Sequence, residues 1–183
     1  MTTLSIRPAT AANLPDLHAL IERSYRGEES RKGWANEADL LTQPRTDRAT
    51  LAAIIADPAQ MILVGEDVGH VGEARGLGGE RGVIRACVQV SIKGGGLAYI
   101  GLLAVDPNQQ AGGIGRTMLT AAEEAATTRG ATRIEMTVVS VRDTLIAYYE
   151  RRGYSVTGEV RPFPEDLVED GKSLEFAVLA KAI

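Results

Sequence analysis

A continuous apolar run, Leu97-Ala-Tyr-Ile-Gly-Leu-Leu-Ala-Val105, breaks at Asp106-Pro107, crosses a short turn and enters Gln110-Ala-Gly-Gly-Ile-Gly115, from which a helical pattern departs. This order reads as a strand passing through a glycine-dense loop into a helix. The start of a helix leaves backbone N–H groups without intrahelical partners and carries the positive end of the macrodipole. Glycines let the backbone approach an anion with no Cβ in the way. Together these features make a place to hold a phosphate group.

Three phosphate-binding patterns compete for the segment. A P-loop requires Gly-Lys-Ser/Thr at its end, but Gly115 is followed by Arg116-Thr117 and no glycine stands five places before it. A dinucleotide fingerprint requires a third glycine where this chain has Met118. Gln/Arg-x-x-Gly-x-Gly/Ala is met by Gln110, Gly113 and Gly115. Taken alone, that match leaves a ligand-free glycine turn open. The following residues add to it. Ile114 to Arg129 carries Ile114, Met118, Ala122 and Ala125 at helical spacing, with Gly130 where a left-handed C-cap glycine would end the helix. Arg133 to Val139 reads as a strand, and Ser140-Val-Arg-Asp143 as a capping-box-like start to a second helix. Leu145, Ile146 and Tyr149 share one face of that helix, which stops at Gly153.

The loop Gln110–Gly115 and the ending Ala147-Tyr-Tyr-Glu-Arg-Arg-Gly-Tyr154, in this order and with these elements between them, resemble the GCN5-related N-acetyltransferases, the GNAT family. The resemblance runs firmly from Leu97 to Tyr154 and extends more weakly to Leu4-Ser-Ile-Arg-Pro-Ala-Thr and to a closing strand near Ser173 to Lys181. It implies an α/β (α+β) GNAT fold: a central mixed, mostly antiparallel twisted sheet of six to seven strands, helices on both faces, and a splayed parallel strand pair at the coenzyme site. It implies acetyl-CoA as co-substrate, no metal, and transfer of an acetyl group to a primary amine of a small molecule or peptide by direct attack on the thioester. The pantetheine arm resembles a peptide and can pair with a strand edge. The resemblance places those contacts on the backbone of Leu103 and Val105, and the pyrophosphate contacts on Gln110 and the backbone of Ala111, Gly113, Gly115 and Arg116. A non-catalytic acyl-CoA-binding regulatory or interaction module is the alternative, and relatives often dimerise, so a homodimer is among the implied states.

Acyl transfer to an amine needs a neutral nucleophile, a stabilised oxyanion and a proton for the departing thiolate. The resemblance assigns the oxyanion to a backbone N–H near Leu103. It makes Tyr149 the general acid, with Tyr148 as the backup if the helix is rotated. The chain departs from the family pattern at Gln110, which replaces a commoner Arg, and at Arg142 and Leu145, which replace Asn and Ala. No carboxylate lies between Leu97 and Val105, where some relatives place a general base. The base then comes from elsewhere, with Glu28, Glu29, Glu37 and Asp39 as candidates and Glu37 as the working choice, or water serves through a bound chain; Trp34 and Tyr25 in the same stretch either shape an acceptor pocket or pack in the core.

Composition narrows the remaining classes. At 183 residues the chain suits one domain over residues 1–183, enough to bury a core without disulfides. The lone Cys87 cannot form an internal disulfide and reads as a small buried hydrophobe. No signal segment opens the chain and no apolar run approaches the ~20 residues that span a bilayer, so a cytoplasmic protein without membrane contact is expected. The formal net charge of −4 argues against non-specific nucleic-acid binding. His18 and His70 have no metal-ligand spacing around them.

The rest of the chain reads as follows. Leu4 to Arg7 is an edge strand. Thr10 caps a helix that ends near Tyr25. Gly27 to Arg45 is irregular. Thr46 or Asp47 caps a helix that Asp57-Pro58 ends. Met61 to Val64 and Val83 to Ile92 are strands, Gly69 to Gly82 a hairpin loop, and Lys93-Gly-Gly-Gly96 a turn. Gly158 to Lys172 reads as a loop between the last two strands.

Overall fold

Among the described residues, seven strands form one sheet in the order β1-β2-β3-β4-β5-β7-β6. They are β1 (Leu4–Pro8), β2 (Gln60–Asp67), β3 (Val83–Gly94), β4 (Leu97–Val105), β5 (Arg133–Val139), β6 (Ser155–Pro162) and β7 (Glu175–Ala182). The helices are α1 (Leu14–Tyr25), α2 (Gly27–Ser30), α3 (Arg48–Ala56), α4 (Ile114–Thr128) and α5 (Asp143–Glu150). This computed structural model describes residues 4–32, 37, 43–67, 82–164 and 174–183. Trp34, Asp39, His70 and the expected hairpin loop before Gly82 lie outside the described residues.

Alternation along the strands separates two cores. Ile62, Val64 and Cys87 point to one face with Leu17, Leu20 and Ile21 of α1 and Leu51 and Ile54 of α3. Leu63, Val88 and Val90 point to the other, under Ile114, Met118 and Ala122 of α4. Leu119 and Ala126 complete the buried stripe of α4, with Ala125 only half-buried beside them. Burial raises the Cys87 thiol to about 12, so it behaves as the expected small hydrophobe.

Several local devices match the sequence. Asp47 caps α3 by accepting from the Thr50 N–H at 2.7 Å. Thr10 is the N-cap of the 3₁₀ turn Ala11–Asn13 that leads into α1, and Asn13 closes the box, its side chain accepting from the Thr10 N–H at 2.9 Å. Gly130 (φ 84°) and Gly153 (φ 88°) adopt the left-handed conformation that ends their helices. Two readings are corrected. Ser140 does not cap α5: the helix starts at Asp143 with Arg142 in the cap position and no side-chain cap, while the Ser140 N–H donates to the Glu175 carbonyl at the end of the sheet. Residues 158–162 are not loop but the second half of β6, paired to β7 through Pro162. Gly158 has φ 84° and the register slips between Val156 and Val160, so the strand bulges at the glycine and continues.

Every neighbouring pair is antiparallel except β4 and β5. That parallel ladder runs only from Leu97↔Arg133 to Tyr99↔Glu135. A bulge lies just beyond. Cys87 faces Ala104 while Gln89 faces Gly101, so β4 carries one more residue than β3 across the same interval. Leu102 takes up the excess with φ 47°, a conformation that costs a residue with a Cβ about 1–2 kcal/mol. Its side chain is buried with Cys87 and Ala104, which offsets that strain.

The far end of β4 is clamped by Asp106. This buried carboxylate accepts from the Asn108 N–H at 3.1 Å, from Arg23 of α1 at 3.2 Å and from Arg85 of β3 at 3.5 Å. Asp106→Ala should therefore cost about 1–3 kcal/mol, since buried donors lose their acceptor. Chemical denaturation checks this; an unchanged midpoint would remove the clamp from the account.

Candidate active site

Where β4 and β5 part, a cavity of about 280 Å³ opens between them. Gly101, Leu102 and Leu103 of β4 line one wall and Thr137, Val138 and Val139 of β5 the other; Tyr25, Glu37, Arg45, Arg142, Leu145 and Tyr149 close it from α1, the following stretch and α5. At the apex the Tyr99 hydroxyl and Thr137 Oγ1 hydrogen-bond at 2.7 Å, joining the strands by side chains beyond the last backbone rung.

The outer edge of β4 is held from α1. The Asp106 N–H donates to the Arg85 carbonyl on β3, so by alternation Leu103 and Val105 turn their polar groups away from β3. Their carbonyls are not left open, as the expected strand-edge contacts assumed. The Tyr25 hydroxyl donates to the Leu103 carbonyl at 2.9 Å, and the Ser24 hydroxyl donates to the Val105 carbonyl at 3.2 Å. The Leu103 carbonyl is thus engaged from α1 at the edge of the wedge.

Gly113 heads α4 with φ 73°, and a Cβ there would meet nothing within 4 Å. The open space beside a positive-φ residue, at a helix start that has N–H groups without intrahelical acceptors, fits a pyrophosphate. Gly115 lies in the first turn behind it. The Arg116 N–H already donates to the Gly113 carbonyl at 3.0 Å, so this backbone contact of the expected set is committed inside the helix. Its side chain is exposed. The backbone of Gln110 and Ala111 lies in the 3₁₀ segment Pro107–Gly112 that leads into the loop.

Tyr149 and Tyr148 are separated by the turn of α5. Tyr149 lines the cavity and its hydroxyl has no hydrogen-bond partner among the described residues. Its ring is held edge-on between Tyr148 (5.3 Å) and Tyr154 (5.8 Å). Burial pushes the Tyr149 phenol well above its ordinary pKa, so it remains a neutral donor throughout the neutral range. Tyr148 is not among the lining residues; the Arg152 guanidinium covers its face at 3.4 Å. Tyr154 is anchored in turn, donating to Glu123 at 2.9 Å, and Glu123 also accepts from Lys181 at 2.8 Å.

Of the four candidate bases, Glu37 lines the cavity. Its Oε2 accepts from Arg26 at 2.8 Å and lies 3.8 Å from Arg45 Nε. Glu28 and Glu29 are exposed on α2. Arg45, Tyr99 and Thr137 were not expected here: an arginine in an irregular stretch and two strand residues carry no spacing signal. No cluster able to hold a metal occurs among the described residues, and His18 Nε2 instead lies 3.3 Å from the Thr46 carbonyl.

The acetyltransferase (GNAT) family model matches residues 34–154. The chain belongs to this family, and it is an acetyl-CoA-dependent N-acetyltransferase. Solved structures agree on the fold. The ribosomal-protein-S18-alanine N-acetyltransferase from Escherichia coli superimposes with TM-score 0.70 at 17% identity, over 99% of this chain and 94% of that one. yncA from Salmonella typhimurium, solved with its cofactor acetyl-CoA, gives 0.68 at 16% identity, over 99% and 94%. A spermidine N-acetyltransferase SpeG chimera from Vibrio cholerae and hSSAT gives 0.69 at 17% identity, over 98% and 95%. A comparison with curated proteins finds no match. No helix among the described residues is long and apolar enough to cross a membrane.

Gly113→Glu should abolish acetyl-CoA binding in a calorimetric titration. The new side chain has room in the free protein, but puts a carboxylate where pyrophosphate oxygens belong. The variant should remain folded, with a modest loss of about 1 kcal/mol for a non-glycine residue at this φ. Unchanged affinity would overturn the assignment of the loop.

Proposed function

We propose that the wedge between β4 and β5 is where the acetyl group passes to a primary amine of a small molecule or peptide, with Tyr149 as general acid and Glu37 as the proton acceptor. The observation that carries this reading is a single cavity lined by Leu103, Tyr149 and Glu37. Acetyl-CoA supplies an acyl group on sulfur; the amine forms a C–N bond as the C–S bond breaks.

Each protein group then has a task that its surroundings support. The Leu103 N–H, turned off the β3 ladder, faces charge developing on the carbonyl oxygen. Tyr149 gives its proton to the departing thiolate, and its hydroxyl, without a hydrogen bond among the described residues, is available to do so. Glu37 keeps Oε2 on Arg26 and has Oε1 without a hydrogen bond among the described residues, ready to take the proton the amine loses. A module that only binds the coenzyme needs neither group inside the cavity.

Tyr149→Phe should lower kcat by ~10², the low end for loss of a general acid, with acetyl-CoA affinity within a few-fold of the parent. Tyr148→Phe should stay near parental activity. Glu37→Gln should lower kcat/KM for the acceptor without changing acetyl-CoA affinity. Because burial raises the Tyr149 pKa, any alkaline fall in rate below pH 10 belongs to another group and should persist in Tyr149→Phe. Thiol-release kinetics across pH check all four. If neither tyrosine nor Glu37 affects the rate, the assigned roles fail.

A further inference from the structure

We infer that the acceptor carries a carboxylate beside its amine, the arrangement of an α-amino acid, and that Arg45 binds that carboxylate. The inference rests on the acetyltransferase reading above and deepens it.

Arg45 lines the cavity, yet its guanidinium donates no hydrogen bond to the described protein. Its Nε is buried without a hydrogen-bond partner among the described residues, while the side chain as a whole keeps 35% of its surface exposed towards the cavity. The neighbouring carboxylate does not satisfy it: Glu37 Oε2 is 3.8 Å away, beyond hydrogen-bond reach, and already accepts from Arg26. Glu22 touches the same segment, but its Oε1 is taken by the Arg45 and Thr46 N–H groups at 2.8 and 3.0 Å. A buried donor left unpaired is costly, and a guanidinium in a substrate cavity is matched by a carboxylate, which can accept two parallel N–H bonds.

The position of Arg45 sets where that carboxylate must lie. The Tyr25 ring spans the gap between Arg45 and the reacting edge. Its hydroxyl is fixed on the Leu103 carbonyl at 2.9 Å, and the Arg45 guanidinium lies over its face at 5.1 Å from the centroid. Stacking orients the planar fork before any ligand arrives. The anion site is therefore about one aromatic ring from the β4 backbone. Beside it, Glu37 and Arg45 present opposite charges 3.8 Å apart, the complement of an ammonium and a carboxylate on one carbon. A polyamine has no acid to offer Arg45. An internal lysine of a protein, or the N-terminus of a long peptide, has no free α-carboxylate at that spacing.

The test is thiol release with α-amino acids, each compared with its carboxamide and its decarboxylated amine, using the parent protein, Arg45→Gln and Arg45→Lys. The parent should favour the free acid by ~10-fold or more in kcat/KM, the scale of a charge-assisted hydrogen bond. Arg45→Gln should bring the ratio to about 1 through a raised acceptor KM, with acetyl-CoA affinity unchanged. Arg45→Lys should retain part of the preference, as a point charge replaces the fork. A parent that acetylates the amide or the decarboxylated amine as well as the acid overturns the inference. So does a preference that survives Arg45→Gln. If Arg45→Gln fails to fold, the parental ratio and Arg45→Lys still decide. Failure of the acetyltransferase reading looks different: no acetyl-CoA binding by calorimetry and no thiol released with any amine.

Discussion

Two hydroxyl groups of α1 allow the rest of the site to exist. A carbonyl on a buried strand requires a donor, and in a continuous sheet the donors for Leu103 and Val105 would come from β5. Here they come from Tyr25 and Ser24. β5 is thereby released from β4 after three rungs without leaving those carbonyls unpaired. The bulge at Leu102 adds the bend. A cavity in the middle of a sheet is stable because its polar edge is satisfied from the helix layer.

The same principle of held positions extends to both ends of the wedge. At one end the Tyr149 ring is wedged between two tyrosines, and Tyr154 is tied through Glu123 to Lys181 on the last strand. At the other, Asp106 ties the root of the glycine loop to α1 and β3. Tyr25 links the two functions of the cavity, because one side chain both closes the β4 edge and supports Arg45. Losing that ring would disturb the Arg45 stacking and the β4 backbone geometry together, so the two are not independent parts.

Much of this was legible along the chain because it is local. The strand before the loop, the helix after it, the following strand and the second helix all lie where periodicity placed them, and Gly113, Gly130 and Gly153 have the positive φ that glycine favours. Other readings failed where a distant partner outcompeted a local one. Ser140 has the residue type of a cap, but Arg142 stands in the cap position and the Ser140 N–H donates to Glu175 at the end of the sheet. Gly158 has the residue type of a loop, but a bulge absorbs it within β6. At Leu103 and Val105 the carbonyls accept from a helix some eighty positions earlier in the chain, a pairing that no local pattern signals.

The sequence by itself determined the glycine loop, the helix behind it and the tyrosine pair at the end of α5. Each depends on residues within a few turns of one another, where glycine conformation and helical spacing decide the outcome. It could not determine which tyrosine faces the cavity, because Tyr148 and Tyr149 differ only by the rotation of α5 against the sheet. Nor could it bring Arg45 over Tyr25, or set the guanidinium beside Glu37 without a hydrogen bond among the described residues. Those contacts join segments from different parts of the chain, and only the packing of α1 across the parted strands decides them.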